Sequence, residues 1–285
     1  MSRCAAMTRA AQLLSLCGGF AWLCLVLPGC GRGGHGHALV LAGSTSVQPI
    51  AELIAEHYEL EHHDRPVNVQ GGGSTAGVKA ATEGAADIGM SSRKLKDDEK
   101  DLEAIAIAMD AVALVVNPAN PITDLSKEQV AGIYVGDLTR WGELGVEGLI
   151  GGRTDAITVV TREEGSGTRS AFEEGVMGKA DISPRALVQD STGTVRAIVA
   201  SDPNAIGYIS LGMVTSEVKA VTYNGVLPCE QTVESGAYAL ARPFLFLTRG
   251  APSRAAQDFI DYALGVEGQR LVVQAGCVPV GGESE

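Results

Sequence analysis

The chain has 285 residues, 45% of them hydrophobic and only 5% aromatic, with a formal net charge of −12. That size and apolar content suffice for one large domain or two modest ones with aliphatic cores. So acidic a surface repels nucleic acid and anionic membranes, so a bound anion must be held by local donors against the overall field.

Arg3 and Arg9 form a basic start, residues 13–27 carry no charge, and Leu27-Pro28-Gly29-Cys30 follows. This pattern predicts an export signal over 1–29, too short for a membrane span. Its end resembles a bacterial lipobox with Cys30 as the acylated new N-terminus; a plain signal peptide cleaved nearby is the alternative. Losing 1–29 removes two arginines and no acid, which takes the net charge from −12 to −14. The Gly- and His-rich 30–37 reads as a flexible tether. Cys4, Cys17 and Cys24 lie in the signal, which leaves Cys229 and Cys277 as one disulfide or as two free buried thiols.

Residues 39–43 form an apolar strand that runs into Ser44-Thr45-Ser46, and Val47, Ile50, Ala51, Ile54 and Tyr58 then recur at helical spacing. Pro49 fits the first turn of that helix. A strand at 67–69 leads into Gly71-Gly72-Gly73-Ser74-Thr75 and a helix through Val78 and Ala81. Asp87-Ile88-Gly89-Met90-Ser91-Ser92-Arg93 is a short strand with a hydroxyl-rich, basic end, and the charge run 94–101 reads as a solvated loop and helix face. A buried strand is predicted over 105–116 and a helix over 126–134, followed by a loop around Gly136, Trp141 and Gly142.

The apolar 157–160 then meets Thr161-Arg162-Glu163-Glu164-Gly165-Ser166-Gly167-Thr168-Arg169-Ser170, read as strand, glycine turn and helix. Ser166 is a natural N-cap, and the amides after it lack intrahelical partners. Free amides, hydroxyls and a guanidinium at a helix start make a ready anion site, but local chemistry alone favours an ordinary capped helix, and the rest of the chain must decide. Asp190-Ser191-Thr192-Gly193-Thr194 caps a further helix through Val195, Ile198 and Val199. Strands at 206–210 and 239–248 and helices at 255–264 and 269–273 complete the chain. Strands alternating with helices imply an α/β protein with parallel sheets, whose ligands sit at the carboxyl ends of strands. Four hydroxyl-bearing strand–helix junctions exceed what capping requires.

Other chemistries fit poorly. Residues 72–79 lack the Gly-Lys pair of a phosphate-binding loop, because Val78 separates Gly77 from Lys79. Ser166 has Glu164 and Thr168 where a nucleophile elbow needs glycines. Of His35, His37, His57, His62 and His63, two lie in the tether and none shows metal-ligand spacing.

The ordered set Gly43-Ser44-Thr45-Ser46-Val47-Gln48-Pro49-Ile50, Gly73-Ser74-Thr75-Ala76-Gly77-Val78-Lys79, 87–93 and Arg162-Glu163-Glu164-Gly165-Ser166-Gly167-Thr168 resembles the phosphate-binding lipoproteins that feed the bacterial phosphate ABC transporter. Asn204-Ala205-Ile206-Gly207-Tyr208 and Ala241-Arg242-Pro243 fit the same pattern. The resemblance covers nearly all of the chain after the signal. It implies a two-lobed, type-II periplasmic-binding-protein fold, two α/β sandwich lobes joined by a two-strand hinge. Crossovers are expected near 112–117 and 238–246. Residues 38–115 and 238–285 would then form lobe one with the hinge return, and 116–237 lobe two. The anion-binding residues it implies are Thr45, Ser46, Ser74, Arg162, Ser166, Gly167 and Thr168, to which donor chemistry adds Ser44, Thr75 and Ser92.

Better-known members carry an aspartate where this chain has Ser92, and it accepts the proton that phosphate carries and sulfate lacks. Asp110 and Asp190 are the candidate replacements. The implied function is extracytoplasmic, high-affinity capture of inorganic phosphate and its delivery to a permease–ATPase complex by a lipid-anchored monomer. Neither cofactor nor metal nor catalysis is expected. A receptor for sulfate or molybdate and a phosphate sensor are the alternatives, with a phosphohydrolase further off.

Overall fold

A computed structural model describes residues 38–146 and 154–281. The expected signal peptide, the lipidation site Cys30 and the tether lie outside the described residues.

The chain opens with strand β1 (Leu39–Gly43), helix α1 (Gln48–Glu61), β2 (Val67–Gly71), α2 (Ser74–Glu83) and β3 (Ile88–Ser91). β1 pairs in parallel with both β2 and β3. This is the arrangement that alternating apolar strands and amphipathic helices require. Gly77 on α2 lets helix and sheet touch, because a Cβ there would fall 2.4 Å from the Met90 carbonyl oxygen.

β4 (Glu103–Val116) is a single 14-residue strand shared by two sheet regions. Its first part pairs antiparallel with β11 (Ala241–Thr248), from Glu103↔Thr248 to Ala111↔Ala241. From Val112 it pairs antiparallel with β8 (Ala205–Ser210). Beyond β8 lie β6 (Thr158–Arg162) and the edge strand β7 (Leu187–Gln189), both parallel. The nine-stranded order is β2-β1-β3-β11-β4-β8-β6-β7, with β9 (Lys219–Ala220) against β4, and β5 (Asp124–Leu125) pairs in parallel with β10 (Thr222–Tyr223) as a separate two-stranded sheet.

The cores divide along the same line. Leu41, Ile54, Met90, Phe246, Phe259 and Leu271 pack together on the β1 side. Val112, Trp141, Phe172, Tyr208 and Tyr238 form a second core on the β8 side. The result is a two-lobed α/β fold in which β4 runs through both halves. Helix α3 (Lys127–Val135) carries a Ser126–Gln129 capping box. α4 (Gly167–Phe172) continues as a π-helical turn over Glu173–Met177, α5 spans Thr192–Ser201, α6 spans Glu230–Glu234, and α7 (Arg254–Leu264) and α8 (Val266–Gln274) close the chain.

Two expectations are corrected. The charge run after β3 is not wholly solvated, since Glu99 folds back as a two-pronged partner of buried Arg93, at 2.7 and 2.8 Å. Cys229 and Cys277 are free thiols and not a disulfide. Cys277 is buried in the β1-side core. Cys229 sits at the start of α6, 3.4 Å from Thr232 Oγ1, and the Val233 of that helix packs into the other core.

Candidate anion-binding site

Hydroxyl and guanidinium side chains converge from the carboxyl ends of β1, β3 and β6 and the starts of α2, α4 and α5. These are the positions where open α/β sheets hold their ligands. On the β1 side, Ser44 Oγ donates to Ser92 Oγ at 2.9 Å, and Ser74 Oγ lies 3.3 Å from the same atom. Ser44 also caps the turn into α1, accepting from the Ser46 amide at 3.2 Å. The Ser92 amide in turn donates to Ser74 Oγ at 3.0 Å. All three serines are buried.

The second half of the site is centred on Arg162, which is 1% exposed. Its Nη1 donates to Thr192 Oγ1 at 3.0 Å, and its Nη2 donates to Thr45 Oγ1 and to the Asp190 carbonyl, each at 3.2 Å. Glu163 neutralises it through two bonds, from Nε and Nη2, both 2.9 Å. A buried guanidinium needs such a partner, because desolvating an unpaired charge is costly. Tyr208 holds the strand end in place, accepting from the Arg162 amide at 3.2 Å while its hydroxyl lies 2.7 Å from Thr161 Oγ1. Burial pushes the Tyr208 phenol up to about 12, so it remains a neutral anchor.

The two halves meet directly. Ser46 Oγ lies 2.8 Å from Thr168 Oγ1 and 2.9 Å from Thr192 Oγ1. The Thr75 amide donates to the Gly165 carbonyl at 3.1 Å. Gly167 has no room for a side chain, since a Cβ would fall 2.3 Å from Ser74 Oγ and 2.6 Å from Ser92 Oγ. Ser166 is the N-cap of α4, accepting from the Arg169 amide at 3.2 Å, which leaves the Gly167 and Thr168 amides at the head of the helix.

Of the residues singled out from sequence, Ser44, Thr45, Ser46, Ser74, Ser92, Arg162, Ser166, Gly167 and Thr168 come together here. Thr75 is exposed and joins through its main chain. Asp110 is fully engaged elsewhere. Its Oδ2 accepts from Arg242 Nε and Nη2 at 3.0 and 2.9 Å, and its Oδ1 accepts from Ser210 Oγ and the Leu211 amide. Burial nevertheless pushes its carboxyl up, against the Arg242 charge. Asp190 is exposed and offers Arg162 only its carbonyl. Sequence reasoning missed Thr192 and Glu163. Thr192 stood in the fourth hydroxyl-bearing junction, and Glu163 adjoins the arginine it neutralises, so both signals were present.

Among the described residues no group of three or more His, Cys, Asp or Glu is placed to hold a metal ion.

Residues 31–267 match the family model described as a PBP superfamily domain. The phosphate-binding protein PstS of Bacillus subtilis is 32% identical over 249 residues, covering 85% of this chain and 81% of that protein. Its counterpart in Pseudomonas aeruginosa is 29% identical over 265 residues, covering 84% and 81%. A Clostridium perfringens protein described as a phosphate ABC transporter substrate-binding protein, solved with bound phosphate, superposes with a TM-score of 0.80 at 38% identity, over 85% of this chain and 99% of that one. An ABC-type phosphate transport receptor from Vibrio cholerae gives 0.69 at 37% identity, over 84% and 99%. The chain belongs to the PBP superfamily and, within it, to the family of the phosphate-binding protein PstS.

Proposed function

We propose that this protein captures inorganic phosphate outside the cytoplasm and delivers it to an ABC importer, closing its two lobes around the anion. The observation that carries this reading is the clamp itself: buried Arg162 on one half reaches Thr45 on the other, within a ring of hydroxyls drawn from both. A small dianion loses much hydration on entry, and each oxygen needs replacement donors. The clamp offers them from Arg162 Nη1, the Gly167 and Thr168 amides, and Ser44, Ser46, Ser74, Ser92, Ser166 and Thr168. Charge-assisted hydrogen bonds contribute roughly 1.5–3 kcal/mol each, so a handful supports micromolar binding, which needs about 8 kcal/mol. Because the donors come from both lobes, full affinity exists only in the closed arrangement.

The expected lobe boundaries at 115/116 and 237/238 are better placed near Ala111 and Ala241, because Val112, Leu114, Tyr238 and Leu240 pack in the β8-side core. The chain works as a non-catalytic monomer, held to the membrane through acylated Cys30 after loss of the signal. Among the described residues no helix is long and apolar enough to cross a membrane.

A second reading, a receptor with broader taste for tetrahedral dianions, is favoured by one observation. Neither candidate carboxylate stands in for an acid at Ser92, as Asp110 is bound by Arg242 and Asp190 is exposed. Hydroxyls both donate and accept, so they discriminate less between protonated phosphate and sulfate than a carboxylate does. Thermal melting with millimolar phosphate, sulfate and molybdate separates the two. Phosphate alone raising the melting temperature supports the first reading, and a rise with sulfate or molybdate but not phosphate refutes it.

A further inference from the structure

A cavity of about 310 Å³ lies beside the clamp, lined by Arg93 and Lys94 after β3, Glu174 and Gly175 after α4, and Leu240 and Arg242 around the start of β11. None of the clamp hydroxyls lines it. Two groups connect the cavity with the clamp. Arg242 Nη1 donates to the Ser92 carbonyl at 3.2 Å, and Arg93 Nη2 reaches Thr75 Oγ1 at 3.5 Å.

Arg93 is 6% exposed. Glu99 and the Lys94 carbonyl occupy its terminal nitrogens, at 2.7 to 2.9 Å. Its Nε has no hydrogen-bond partner among the described residues. A buried donor left unmet costs free energy, and such groups in native proteins call for an explanation. Glu99 and Asp110 fix Arg93 and Arg242 from outside the cavity, so both guanidiniums are rigid donors, while the exposed Lys94 brings a further positive charge to the rim. Glu174 is the opposing charge in the wall. The remaining lining is largely apolar, and the volume exceeds what a bare tetrahedral anion fills.

We infer that this cavity is a second anion subsite, taking the carboxylate or phosphoryl group of a small organic anion on Arg93 Nε and Lys94. Arg93 follows Ser92 directly, and Glu174 and Gly175 lie on the helical stretch that Ser166 begins. An occupant therefore bridges the same two elements as the clamp and favours the same closed arrangement. By linkage, the two sites then raise each other's affinity. That coupling rests on the phosphate reading above, whereas the subsite itself does not.

The test is calorimetry on the mature chain at constant ionic strength. Protein saturated with phosphate is titrated with citrate in one arm and with further inorganic phosphate in the other. One additional site in the citrate arm is expected for a carboxylate-bearing occupant, and one in the phosphate arm for a phosphoryl-bearing one. Protein loaded at this subsite should bind its first phosphate about fivefold more tightly. Lys94→Glu should abolish the additional site and Glu174→Gln should tighten it, both leaving the first phosphate site unchanged. Absence of a second site in both arms, competition of citrate with the first phosphate, or indifference to both substitutions would overturn the inference. Citrate binding without any phosphate binding would instead overturn the phosphate reading and leave the subsite standing.

Discussion

The hydroxyls of Ser46 and Thr168 lie 2.8 Å apart although 122 residues separate them in the chain. Ser46 follows β1 and Thr168 follows β6, so this contact joins the ends of two strands from different halves of the sheet. It marks the seam at which the lobes meet, and the consequences of breaking it can be measured.

Arg162→Lys keeps the charge but loses the planar fork that reaches Thr45, Thr192 and Asp190 together. Losing two charged hydrogen bonds at roughly 1.5–3 kcal/mol each predicts phosphate affinity lower by about two to four orders of magnitude. Equilibrium dialysis with radiolabelled phosphate reads this directly; a loss below tenfold would remove Arg162 from the centre of the site.

Gly167→Ala places a methyl group against Ser74 and Ser92, and relief requires the lobes to part. The variant should keep the melting temperature of the ligand-free protein within a few degrees and bind phosphate at least about tenfold more weakly, about 1.4 kcal/mol. Small-angle scattering with saturating phosphate should show a larger radius than wild type. Wild-type compaction on binding would contradict the steric account.

Thr192→Val, nearly equal in volume, removes the hydroxyl that Ser46 and Arg162 share. It leaves a buried guanidinium N–H unmet, a cost of about 1–3 kcal/mol, so affinity should fall about five- to 150-fold. Unchanged affinity in a titration would make Thr192 a packing residue only.

Glu99 gives the pH prediction. Its hydrogen bonds with Arg93 hold its carboxyl below the usual 4.5, despite some desolvation. A depressed folded-state value means stability present above 4.5 and lost as pH falls through the lower folded value. Chemical denaturation from pH 6 down to about pH 3 should therefore show a shallower loss in Glu99→Gln than in wild type, from a lower starting stability. Parallel curves would show that this pair does not contribute to acid sensitivity.

The two thiols should differ in reactivity. Burial pushes the Cys277 thiol well up, whereas the Thr232 hydrogen bonds lower that of half-buried Cys229. In a chain starting after Cys30, a disulfide-exchange reagent should titrate one fast thiol in the native state and two after unfolding. Finding none in either state would restore the disulfide.

Much of this was legible in the sequence because local chemistry and the global fold agree. Hydroxyls at the strand–helix junctions made Ser44, Ser74, Ser166 and Thr168 stand out as donors, although only Ser166 of these caps a helix, while α1 and α2 start at Val47 and Gly73 without a side-chain cap bond. Edge strand β7 was missed, since its Leu187 and Val188 are exposed and lack the alternation of a half-buried strand. Pairings between distant elements were not legible. Nothing in the spacing of Arg93 and Glu99 distinguishes a buried ion pair from a solvated charge run, and nothing ties Asp110 to Arg242, 132 residues away. Only the antiparallel register of β4 and β11 puts those two opposite each other. The same register explains why Asp110, a plausible proton acceptor from sequence, has no free oxygen left for an anion.

Calorimetry of the unfolded, ligand-stripped and refolded protein with phosphate and with sulfate, at pH 6 and pH 8, tests the central claim most directly. The clamp predicts one phosphate site of micromolar or tighter affinity per chain at both pH values, abolished by Arg162→Ala. No heat with phosphate at either pH, beside saturable binding of sulfate, would contradict it.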